Sequence, residues 1–102
     1  MKPVRFYAEA EDELRCAAVF YERQQAGLGK RFLDAAFAAV YRMRLFPGAS
    51  PSSVEGCRQV RVERFPLGIV FRERPDEIAV VAVIHFKRRP GYWRTRTGTG
   101  NR

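Results

Sequence analysis

The chain has 102 residues, 46% of them hydrophobic and 13% aromatic, enough for one packed domain and too much for disorder as the main state. Its formal charge is +8, split as +2 over residues 1–50 (8 Lys/Arg against 6 Asp/Glu) and +6 over residues 51–102 (11 against 5). A basic excess of this size points to a polyanionic partner, whether nucleic acid, an acidic protein or an anionic membrane. Two cysteines and one histidine are too few for a disulfide scaffold or a zinc site. With no apolar window of ~18 residues and no signal core after Met1, a reduced cytoplasmic protein without metal or cofactor is expected.

Pro3 to Tyr7 reads as a short strand, with Val4 and Phe6 on one face. The period then changes. Ala10, Leu14, Ala17, Ala18 and Tyr21 form one stripe of an amphipathic helix, and Glu9, Glu11, Asp12 and Glu13 favour its dipole. Gly27 fits a left-handed cap, with Leu28 folding back. A second helix is expected over Gly29–Phe46, stopped by Pro47-Gly48. Phe32, Ala36, Ala39, Met43 and Phe46 make one stripe, and Leu33, Phe37, Val40 and Tyr41 a neighbouring one. The sheet and the first helix are the two surfaces expected to cover this wide face. The short link at Gln25–Gly29 makes the helices an antiparallel hairpin.

Residues 47–56 are loop by composition. Val60 and Val62 then alternate with Arg61 and Glu63, and Phe65-Pro66 marks a bend. Leu67 to Glu73 and Ile78 to Phe86 complete a three-stranded meander, its turn at Pro75-Asp76. The last strand is apolar almost throughout, so it should lie centrally or be covered on both faces. The order β-α-α-β-β-β is expected to give an α+β fold, a helical hairpin packed on a twisted antiparallel sheet. A single domain over 1–96 and a disordered tail over 97–102 are expected, with fraying from Arg96.

Three groups could carry chemistry. The acid-free run Lys87-Arg88-Arg89-Pro90-Gly91-Tyr92-Trp93-Arg94 interleaves cations with rings that could grip phosphates, stack on bases or enter a partner's pocket; alternatively, Tyr92 and Trp93 fold back onto the sheet. Arg58, Arg61, Arg64 and Arg72 lie on adjacent strands and could cluster to stabilise negative charge, or form a ladder with Glu63 and Glu73. His85 is the one side chain whose ordinary pKa suits proton transfer near neutrality, though a lone histidine is more often structural. Cys16 and Cys57 read as small core residues. Gly27-Leu28-Gly29-Lys30 lacks the spacing and preceding strand of a phosphate loop.

Four segments together resemble the RelE/ParE toxin superfamily, often called plasmid-stabilisation proteins. They are Phe20-Tyr21-Glu22; Gly27-Leu28-Gly29 with Phe32, ending at Phe46-Pro47; Val60 to Arg72 through Arg64-Phe65-Pro66; and Val81-Ala82-Val83 with His85, Arg88-Arg89-Pro90 and Tyr92-Trp93. The resemblance implies the toxin of a type II toxin–antitoxin pair, neutralised by an acidic ParD-like or RelB-like antitoxin that folds as it wraps the toxin, with no membrane partner. Two branches follow. ParE-like members bind DNA gyrase without cutting RNA. RelE-like members cut mRNA in the ribosome. For a nuclease, the residues implicated here are Arg72, His85, Lys87, Arg89 and Tyr92. The nuclease arginine of the middle meander strand falls at Gly68, however, and the terminal aromatic falls at Trp93, which has no phenol. That mismatch favours the ParE-like branch, with Arg58, Arg61, Arg64, Arg72, Arg88, Arg89, Tyr92 and Trp93 as the target-binding set. A non-toxic nucleic-acid-binding module is the remaining alternative.

Overall fold

The computed structural model describes residues 1–52 and 56–98. The elements are β1 (Val4–Phe6), α1 (Ala8–Gln24), α2 (Leu28–Leu45), a 3-10 turn at Pro47–Ala49, β2 (Arg58–Val62), β3 (Leu67–Glu73), β4 (Ile78–His85) and α3 (Arg94–Gly98). Two long helices and a sheet in the order β1-β4-β3-β2 give the expected α+β class.

The meander is antiparallel, with Val62 opposite Leu67, Ile69 opposite Val83 and Leu67 opposite His85. A register shift between Val70 and Phe71 bulges the β3–β4 ladder. The sheet as a whole is mixed rather than antiparallel, because β1 runs parallel to β4 through Val4–Ile78 and Phe6–Val80. Direction alternates from β2 to β3 to β4, and β1 shares the sense of β4. No hairpin links β1 to the sheet. α1, α2, β2 and β3 all lie between β1 and β4 in the chain, the long connection that a parallel pair requires. Arg5 clamps the pair by donating to both oxygens of Glu77, with Nη2–Oε2 at 2.8 Å.

Period-two apolar positions put Val62, Leu67, Ile69 and Val83 on the helix-facing side, where Phe32, Ala36, Ala39 and Met43 of α2 and Ala10 and Leu14 of α1 are buried. Tyr21, Phe32 and Phe65 pack together at centroid separations of 4.9–5.3 Å, Phe65 making T-shaped contacts with the other two, and fasten the hairpin to the β2–β3 turn. β4 is buried from Ile78 to Val83, as its unbroken apolar run requires.

The hairpin joint explains three of the motif residues. Gly27 is left-handed at φ 88° and precedes α2. The Glu22 carboxylate accepts the N–H of Gly27 at 3.0 Å and that of Gly29 at 3.0 Å, satisfying donors that the first turn of α2 leaves orphaned. Gly29 has no room for a side chain, since a Cβ would sit 2.7 Å from the Ala18 carbonyl oxygen.

Three expectations change. Cys57 is buried, but Cys16 is exposed on α1. Phe37 and Tyr41, expected under the sheet or the first helix, are exposed, because both surfaces approach α2 from the side of Phe32, Ala36 and Met43. Arg96, expected to fray, sits in α3 and is ion-paired. Of the tail expected to be disordered, residues 99–102 lie outside the described residues.

Candidate functional site

After β4 the chain makes consecutive tight turns. Arg88 N–H reaches the His85 carbonyl at 2.9 Å, Tyr92 N–H that of Arg89 at 3.3 Å, and Arg94 N–H that of Gly91 at 3.0 Å. Gly91 is left-handed at φ 74°, and a Cβ there would meet Arg94 Cδ at 2.5 Å. A glycine is needed both for the backbone conformation and to let the arginine lie across it. These turns fold Pro90–Trp93 against the sheet face opposite the helices, enclosing a recess of about 290 Å³. Arg88, Arg89 and Arg94 supply its charge, His85 and Gln59 its neutral polar groups, and Phe86 and Trp93 part of its apolar wall.

One carboxylate from α1 holds this segment in place. Glu13 accepts the Tyr92 hydroxyl at 2.6 Å, both Arg96 guanidinium nitrogens at 2.9 and 3.0 Å, and the Val83 N–H at 3.0 Å. Arg96 also donates to the Val81 carbonyl at 3.0 Å. The reason is topological. β1 pairs with β4 only through Val80, so the outer edge of β4 from Val81 onward has backbone groups with no neighbouring strand. Glu13 and Arg96 replace that strand. Arg88 stacks on the Tyr92 ring at 3.9 Å from its centroid. Burial first, and then the hydrogen bond to Glu13, push the Tyr92 phenol well above its ordinary pKa.

The sequence-derived residues divide sharply. Arg88, Arg89, Tyr92 and Trp93 come together as expected. Trp93 is only 2% exposed and belongs to the core, so the fold-back alternative describes it. Tyr92 is partly buried with its hydroxyl turned to Glu13. His85 lines the recess, its Nδ1 accepting the Lys87 N–H at 3.0 Å, which leaves Nε2 to carry the proton of the neutral ring. Lys87 is exposed beside it.

The strand arginines do not form one cluster. Arg61 lies near the recess, its guanidinium 5.1 Å from the Phe86 ring centroid. Arg58 turns away and donates to the Ser50 carbonyl at 2.7 Å. Arg64 occupies the β2–β3 turn at φ 72°. Arg72 pairs with Ala79 whereas His85 pairs with Leu67, which separates Arg72 from His85 by five residues, about 17 Å, along β3. Adjacent-strand position alone could not reveal this, since the outcome depends on register and on which face each residue takes. The alternative, a ladder with Glu63 and Glu73, is also absent among the described residues: Glu63 lies 3.9 Å from Arg42 and Glu73 2.8 Å from Lys2.

Gly68 stands in β3 opposite Arg61 and Ile84. The space above it is filled, since a Cβ would lie 2.9 Å from Gln59 Nε2 and 3.0 Å from a Phe86 ring carbon. Glu13, Gln59 and Arg96 complete the site without having been singled out, and Arg94 had been named only as the end of the acid-free run. Glu13 offered no local signal, being one of four acids in the first turns of α1. Arg94 and Arg96 at least belong to the acid-free segment.

A helical hairpin on a four-stranded mixed sheet, with a short third helix sealing one edge, defines the architecture. A solved chain described as "Chromosomal ParDE TA system from P. aeruginosa" shares this fold, with TM-score 0.60 and 21% identity over 83% of this chain and 96% of that one. No protein-family model and no curated protein matches the sequence. Among the described residues no helix is long and apolar enough to cross a membrane.

Proposed function

We propose that the chain is the toxin of a type II toxin–antitoxin pair, acting in the cytoplasm, held inactive by an acidic ParD-like or RelB-like antitoxin, and ParE-like in binding DNA gyrase rather than cutting RNA. The observation that carries this reading is the site itself: an acid-free cationic segment folded into a recess on a scaffold shared with a chain of a ParDE system. A fixed cluster of arginines steers and holds an anionic partner without any chemical step.

The choice against a nuclease rests on how the candidate catalytic groups are disposed. Arg72 is remote from His85. Gly68 offers no cation where transition-state charge would need one, and a missing donor of that kind costs roughly 2–4 kcal/mol. The Tyr92 phenol is engaged by Glu13 and strongly disfavoured from ionising, so it is a poor base. The target-binding surface is therefore assigned to Arg88, Arg89 and Arg61, with Tyr92 and Trp93 as the frame that presents them. Arg58, Arg64 and Arg72 stand apart from it.

Induction of the chain alone, with labelled precursors, tests the reading. DNA synthesis should stop first, with a DNA-damage response. A rapid fall in protein synthesis with cleaved mRNA would replace gyrase by the ribosome and make His85, Lys87 and Arg89 the residues to test. Normal growth would favour a nucleic-acid-binding module.

A further inference from the structure

The arginines of the recess differ in what holds them. Arg89 is exposed, and among the described residues its guanidinium has no hydrogen bond, ion pair or ring contact. Arg88 is exposed too, yet it lies on the Tyr92 ring at 3.9 Å from the centroid. It lines both the recess and a second cavity of about 300 Å³ against α1, where Glu13, Ala17 and Phe20 form part of the wall. A side chain between two cavities has room on either side, so close packing does not fix where its charge points. The ring supplies that constraint, and the ring's own hydroxyl is tethered to Glu13 at 2.6 Å.

Charge is divided along the same path. Arg96 also flanks the Tyr92 ring, 5.5 Å from its centroid, but its guanidinium is taken by both Glu13 oxygens at 2.9 and 3.0 Å. Arg96 thus neutralises the carboxylate. No carboxylate pairs with Arg88 among the described residues, so Arg88 keeps its full charge in a fixed place. Ordering a long side chain only when a partner arrives weakens binding, and one already ordered avoids that loss. We propose that Glu13 is a positioning residue for target recognition: through the Tyr92 hydroxyl it holds the ring, and through the ring it holds Arg88, the anchor of the recess. This role rests on the reading in which the recess meets gyrase. It gives Glu13 an effect opposite in sign to its charge. An acid near a basic surface repels an anionic partner, so by charge alone its removal tightens binding. By position its removal loosens binding.

The test pairs a nuclear magnetic resonance signal of the free chain with its affinity for purified gyrase on DNA. At slightly acidic pH the Arg88 Nε–H resonance should be resolved and rigid in the wild type, while that of Arg89 is averaged. Tyr92→Phe keeps the ring and loses the tether. The Arg88 signal should then average, and gyrase binding should weaken roughly fivefold, the order expected when one long side chain must be ordered on binding. Glu13→Gln should weaken it roughly threefold, since a neutral group holds the hydroxyl less firmly than a carboxylate. Arg88→Ala should weaken it roughly 30-fold, and in that background neither Tyr92→Phe nor Glu13→Gln should weaken it further. Glu22→Ala, which loosens the helical hairpin instead, should change neither readout. Circular dichroism checks that each variant folds. Tighter binding by Glu13→Gln overturns the positioning role in favour of simple charge. Further weakening in the Arg88→Ala background overturns it too, since Glu13 would then act on the whole tail. A wild type that binds gyrase with an averaged Arg88 signal overturns the role and leaves the gyrase reading intact. A wild type that does not bind gyrase overturns both, and growth arrest on induction then tells whether a toxin with another target remains.

Discussion

Two glutamates of α1 do the same physical job at two joints of the molecule. At the hairpin joint, Glu22 accepts the Gly27 and Gly29 N–H groups, five and seven residues away. At the tail joint, Glu13 accepts groups from Val83, Tyr92 and Arg96, seventy to eighty-three residues away. Each replaces backbone pairing that regular structure cannot supply at that point. The joints differ in dependence. Without Glu22, water can serve the exposed Gly27 N–H, and only the single N–H of buried Gly29 is left poorly served. Without Glu13, the Arg96 guanidinium loses its bidentate carboxylate, though it keeps the Val81 carbonyl, and the Val83 N–H loses its acceptor, in a largely closed space where water serves them poorly.

The sharpest way to break the comparison is Glu13→Ala. It removes the carboxylate from a cluster in which both Glu13 and Arg96 side chains are under 20% exposed, at 18% and 15%. The expected loss is on the order of 3 kcal/mol, a fall in Tm of roughly 15 °C. Amide exchange should accelerate at Val83 and through α3 while remaining unchanged at Gly27 and Gly29. Equal acceleration at both joints would show that Glu13 holds the whole fold and not the tail. Gly29→Ala should come next, at about 2 kcal/mol, because the added Cβ meets the Ala18 backbone oxygen, which cannot step aside as a side chain can. Gly48→Ala, with nothing within 4 Å of its Cβ, is the neutral control. Glu22→Ala should cost less, about 1 kcal/mol, the usual worth of a helix cap, and thermal melts of the three variants give the order.

The same contrast explains what could be read from the sequence. The helices, the meander and the left-handed Gly27 were legible because their signals are local: period 3.6, period two, and a glycine where the first helix must end; the part Glu22 plays at that joint was not among them. β1's parallel pairing was not, since three residues carry no sign of which strand receives them. The dispersal of Arg58, Arg64 and Arg72 was hidden for a related reason, as register and the Val70/Phe71 bulge decide which arginines share a face. The apolar width of α2 was visible, but not that Phe37 and Tyr41 would stay uncovered. Charge segregation after His85 located the recess, while the single acid that shapes it lay at the far end of the chain.

Tyr92 gives the smallest effect and the finest resolution of the tail joint. Tyr92→Phe deletes one hydrogen bond to a carboxylate and leaves the Arg96–Glu13 pair, so about 1 kcal/mol should be lost. The pH dependence has a definite sign. Folding raises the Tyr92 pKa, by burial and then by Glu13, so the folded state keeps a proton that the unfolded state begins to release near pH 10. The contribution is whole below that value and is lost as pH climbs from there through the raised folded pKa. Absorbance at 295 nm should therefore show a late-ionising tyrosine in the wild type that is missing in Tyr92→Phe. In Glu13→Gln the late step should move toward the ordinary value without reaching it, because burial remains when the charge is gone. A shift all the way back would mean that the segment has left the sheet, making Glu13 the tail joint's only tether.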